Sequence, residues 1–71
     1  GINLEALNVH LVGIFTSPTT KDSSAIIALP DNSQKLFHVG EQLDNFGVID
    51  RIDSDKVIVD VEGDKQTLQL P

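Results

Sequence analysis

The sequence predicts a small all-β domain, and three features of its 71 residues carry that expectation. Leu7 to Thr16 alternates with a period of two, Lys56 to Glu62 is a valine-rich run set between turns, and turn-forming residues divide the chain into six short extended segments. Strands at that spacing suit a sandwich or a barrel.

The first segment puts Leu7, Val9, Leu11, Gly13 and Phe15 on one face, and Asn8, His10, Val12, Ile14 and Thr16 on the other. Val12 and Ile14 break the polar pattern of the second face, so something is expected to cover them. Ahead of this segment only Gly1 to Ala6 has the character of a helical turn, with Asn3 as its cap. Ser17 to Ser23 reads as a loop, Ser24 to Ala28 as a short apolar strand, and Pro30-Asp31-Asn32-Ser33 as a turn. In that turn proline fixes φ, and Asp or Asn bonds its own backbone. The second arm of this hairpin is Gln34 to Val39.

Gly47 to Ile52 follows as a fourth strand and Asp53-Ser54-Asp55 as a turn. In the fifth strand Val57, Val59 and Val61 share a face, as expected of β-branched side chains on a half-buried pleat. Glu62-Gly63-Asp64 turns again, and Lys65 to Leu70 closes the fold with Leu68 and Leu70 inward. Pro71, which has no N–H for a ladder, ends the run. No linker, repeat or low-complexity tract divides residues 1 to 71, so a single domain is expected.

The composition restricts function. Without cysteine there is neither a disulfide nor a thiolate metal site, and with Met, Trp and Tyr also missing the core must be mostly Val, Ile and Leu, with Phe15, Phe37 and Phe46 the only large rings available to a core or a contact. A domain of this size buries only ~60% of the surface of its unfolded chain, which leaves little room for a deep catalytic cleft. Eleven acidic against five basic side chains give a net charge of −6, opposed to binding a phosphate backbone, so no nucleic-acid partner is expected. No apolar run approaches the ~20 residues that span a bilayer.

Candidate chemistry is thin. Asp50, Asp53, Asp55, Asp60, Glu62 and Asp64 form an acidic stretch that invites calcium, but lack the ligand spacing of an EF-hand loop. Asp53 and Asp55 lie in a turn open to water and read as turn residues, not as an acid/base carboxylate pair. His10 and His38 have no third ligand at a recognisable spacing and read as surface imidazoles. Ser23 and Ser24 lack a nucleophile elbow, and the five glycines form no phosphate cradle. Glu62-Gly63-Asp64-Lys65 is similar to the lysine hairpin of lipoyl carriers, but one strand follows Lys65 where a carrier has about as many after as before. No enzyme activity, cofactor, metal or small-molecule substrate is therefore expected.

An ordered series of segments carries a family resemblance: Ser24-Ala25-Ile26-Ile27-Ala28, Phe37-His38-Val39-Gly40-Glu41-Gln42-Leu43, Gly47-Val48-Ile49 before Ile52, Asp55-Lys56-Val57-Ile58-Val59, and Gly63 with Gln66 to Pro71. Together with the opening Leu11-Val12-Gly13-Ile14, they resemble the periplasmic homology region of general secretion pathway protein C, an inner-membrane component of the type II secretion system. The lipoprotein P of type IV pilus assembly is similar in its hairpin ending, and Ser24 to Ala28 favours protein C. The resemblance implies two antiparallel sheets of three strands packed face to face, in the periplasm, anchored by a transmembrane helix outside this chain. It implies as partner the first periplasmic domain of the secretin, the outer-membrane channel, with other inner-membrane components engaged by other regions.

Such a sandwich has open edges, and an edge strand offers unpaired N–H and C=O groups to another chain. The first strand is the candidate contact, with Val12 and Ile14 covered by the secretin and Ser24 and Ile26 of the neighbouring strand beside them. The alternative is internal cover, by the second sheet or the N-terminal segment.

Overall fold

The computed structural model describes residues 3–71 and is built of six strands: β1 (His10–Phe15), β2 (Ser24–Ala28), β3 (Gln34–His38), β4 (Val48–Ile52), β5 (Lys56–Val61) and β6 (Asp64–Gln69). They form two antiparallel three-stranded sheets in the orders β1-β2-β3 and β4-β5-β6, so each sheet is a meander of neighbouring strands. The all-β, two-sheet expectation holds. The remaining regular structure among the described residues is two 3-10 turns, at Glu5–Leu7 and Thr20–Asp22. The first falls where a helical turn was expected, and the Asn3 side chain accepts the Glu5 N–H at 3.0 Å. Gly1 and Ile2, which the sequence reading included, lie outside the described residues.

Local chemistry fixes the turns. Asp31 Oδ1 accepts both the N–H and the hydroxyl of Ser33 (2.9 and 2.6 Å), closing the β2–β3 hairpin. Glu62 and Gly63 both have positive φ (53° and 87°), the geometry of a two-residue turn whose twist matches its strands, so β5 and β6 pair without interruption from Lys56↔Gln69 to Val61↔Asp64. Gly47 is demanded by a close approach: at φ +129° a Cβ there would lie 2.4 Å from the Asp60 carbonyl oxygen.

One apolar core lies between the sheets. Leu11, Ala25, Ile27 and Phe37 of the first sheet meet Ile49, Ile52, Val57, Val59 and Leu68 of the second, with Leu4, Val9, Leu29 and Leu43 closing the ends. Val57, Val59 and Leu68 have no exposed surface. β1 packs across the sandwich against β5 and β6, and β3 against β4. Leu70, expected inward, sits at the exposed margin.

The first strand departs from its expected alternation. It begins at His10 because Leu7 closes the 3-10 turn, its N–H bonded to Leu4 O at 3.0 Å. Within it the register steps from Leu11↔Ile27 to Gly13↔Ile26, leaving Val12 as the extra residue of a β-bulge. One extra residue exchanges the faces of everything after it. Ile14 therefore lies opposite the buried Ala25 and packs against the core, while Phe15 turns outward, 56% exposed. The expected common face of Val12 and Ile14 is corrected accordingly: Ile14 is covered internally by the core.

Candidate docking face

On β2, Ala25 and Ile27 point into the core, so Ser24, Ile26 and Ala28 point out of the first sheet. Ile26 lies opposite Gly13 on β1 and Leu36 on β3; Ser24 lies opposite Phe15 and His38. Gly13 has no side chain with which to cover Ile26, and a Cβ added there would meet nothing within 4 Å. Around the half-buried Ile26 stand Val12 (44% exposed), Phe15 and Leu36 (52%). Four large apolar side chains thus occupy an outer face that folding alone would leave polar.

The second sheet provides an internal control. Its first strand, β4, also carries a bulge, with Asp50 as the extra residue between Ile49 and Arg51, and Ile58 sits opposite the bulge as Ile26 does in the first sheet. The neighbours at these equivalent positions are Asp50, Arg51 and Thr67, where the first sheet has Val12, Gly13 and Leu36. Lys65 Nζ bridges Asp50 (3.2 Å) and Asp60 (3.1 Å), so that face carries an ion-paired cluster beside Ile58 and the exposed Val48. The Asp60 carboxyl is held below the usual carboxylate range by the Gly63 N–H and Lys65, and the Lys65 ammonium is held above its usual value by Asp60 and Asp50. The same strand template therefore supports a polar face, and the apolar face of the first sheet is a property of its sequence.

Of the residues expected at the contact, Val12 and Ile26 lie on this face. Ser24 points the same way but is 8% exposed, between Phe15 and His38, and contributes little surface; Ile14 lies on the opposite side of the sheet. The sequence reading missed Phe15 and Leu36. Leu36 was accessible to it, since adjacent apolar residues on one strand cannot both face the core and Phe37 is the larger. Phe15 was hidden by the bulge.

The sheet edges differ in what they offer. Ile49 accepts from the Gly40 N–H (2.8 Å) and donates to the Glu41 carbonyl (2.9 Å), and Gln42 bridges to Val48, so the segment after β3 covers the edge of β4. The bulge offsets the free groups of β1, a device that discourages pairing.

A concavity of about 320 Å³ lies between the Gln42–Gly47 loop and the β5–β6 turn, lined by Gln42, Asp44, Asn45, Phe46, Val61 and Glu62 beside Gly47. Its titratable lining groups are the carboxylates of Asp44 and Glu62. His10 and His38 are both exposed, on different strands, and no three His, Asp or Glu side chains converge on one point among the described residues. No helix among them is long and apolar enough to cross a membrane.

Fold and surface together define a two-sheet β module with one apolar and one ion-paired outer face. Residues 5–70 match the family model of type II secretion system protein C, and the chain belongs to that family. It is thus a component of the type II secretion system. Comparison with curated proteins finds no match, and neither does comparison with solved structures.

Proposed function

We propose that the domain is a non-catalytic docking module. It works in the periplasm as part of an inner-membrane protein and binds the first periplasmic domain of the secretin through the outer face of its first sheet. The apolar set Val12, Phe15, Ile26 and Leu36, opposite an ion-paired face built on the same template, carries this reading. Contact is made by the face: Phe15 and Leu36 act as anchors that lose water on binding, with Gly13 leaving a recess over Ile26. A joint of this kind buries under ~1,200 Å² in total and holds with micromolar affinity, which allows the machine to rearrange.

The test is titration calorimetry of the secretin domain with Phe15→Ala and Leu36→Asp variants. Loss of a buried anchor weakens binding by about tenfold or more, while melting stays near that of the parent because both side chains are exposed. Undiminished affinity of both folded variants would remove this face from the contact.

A further inference from the structure

We propose that Glu41 is a gatekeeper that closes the free edge of β3 to a second copy of this chain. The inference does not depend on the identity of the secretion partner. Leu29 donates its N–H to Ser33 O at 2.9 Å at the mouth of the β2–β3 hairpin, and bonded pairs recur at every second residue from there. Lys35 and Phe37 therefore pair with Ile27 and Ala25, and Gln34, Leu36 and His38 direct their N–H and C=O groups away from the sheet.

At His38 both outward groups are taken by one residue. The His38 N–H donates to Glu41 Oε1, and the Glu41 N–H donates to His38 O at 3.1 Å. The same carboxylate oxygen lies 3.2 Å from His38 Nδ1. Glu41 thus stands where a residue of an added strand would stand, and among the described residues of β3 leaves Leu36 and Gln34 open for pairing.

What it excludes is specific. Two β3 strands paired antiparallel about Leu36 would place Leu36 on its own counterpart, Gln34 opposite His38, and Lys35 opposite Phe37. No like charges face each other, and the half-exposed Leu36 side chains would cover one another. The bonds this register needs at its two ends use the His38 N–H and C=O, the groups Glu41 holds. Lys35 supports the gate as a charge on the core-facing side of an edge strand, reaching Asp44 Oδ2 at 3.5 Å. With the gate shut, Leu36 stays free on the docking face.

Sedimentation velocity separates the outcomes. Wild type and Glu41→Gln, whose amide oxygen still accepts from His38, sediment as monomers. Glu41→Ala frees the His38 N–H while its own backbone N–H stays on His38 O; it doubles in mass at the same concentration, and its Leu36 amide gains protection from hydrogen exchange. Leu36→Lys in the Glu41→Ala background restores the monomer. Should Glu41→Ala not fold, Glu41→Val serves, as it also lacks an acceptor. A folded acceptor-less variant that stays monomeric at its solubility limit overturns the proposal, and so does dimerisation of Glu41→Gln to the same extent.

Discussion

Gly47→Ala is the sharpest single-atom test of the fold. The added Cβ meets the Asp60 carbonyl oxygen at 2.4 Å, the Asp60 carbonyl carbon at 3.1 Å and Val59 Cγ1 at 3.1 Å, and the first two are backbone of a central strand that cannot step aside. The φ of +129° adds strain of about 1–3 kcal/mol for a residue with a Cβ. A loss of about 2–3 kcal/mol lowers the melting temperature by about 8–24 °C in a domain of this size. That is a large share of a total of about 4–10 kcal/mol, taking about 0.05–0.15 kcal/mol per residue. Far-UV circular dichroism is the assay, since the chain has no Trp or Tyr. Gly13→Ala is the matched control: nothing lies within 4 Å of its added Cβ, and its stability stays within about 0.5 kcal/mol of the parent. Equal melting of the two variants would refute the claim that the close approach of the Gln42–Gly47 loop to β5 dictates glycine at 47.

Other outcomes follow from the same structure. Leu68→Ala removes a side chain with no exposed surface from the centre of the core and costs about 2–5 kcal/mol by chemical denaturation. Deleting Val12 removes the bulge and joins Leu11 to Gly13 in the regular register, so a folded, cooperative protein with Ile14 still against the core is expected; an unfolded product contradicts the assignment of Val12 as the extra residue. Asp31, Glu41 and Asp60 are held below their ordinary values of 3.8, 4.5 and 3.8 by the N–H and side-chain donors of Ser33, of His38, and of Gly63 and Lys65. The unfolded chain then binds more protons in acid, so this stabilisation is complete above about pH 5 and is lost as pH falls through the folded values. Thermal melts of Asp60→Asn from pH 6 to pH 3 check this, with a shallower acid decline expected than in the parent.

Much of this was legible in the sequence. The valines of β5, Leu68, the Asp31 turn and the Glu62-Gly63 turn were readable because each depends on neighbours in sequence: period-two burial, a side chain bonding its own backbone, a two-residue loop. The bulge at Val12 was not. An extra residue in a strand is defined by its partner strand, and Leu11-Val12-Gly13-Ile14 alternates as plausibly with it as without it. That one residue hid Phe15 and assigned Ile14 to the wrong face. The Glu41 contact was hidden for a similar reason, since which N–H groups of β3 face outward depends on the phase set at the Leu29–Ser33 hairpin.

The central claim, docking through the outer face of the first sheet, is tested most directly by titrating the isotope-labelled domain with the first periplasmic domain of the secretin and following its amide resonances. The account predicts shifts concentrated at Val12, Gly13, Phe15, Ile26 and Leu36, with Asp50, Asp60 and Lys65 on the opposite face unmoved. Shifts confined to the second sheet, or none at saturating secretin domain, would contradict it.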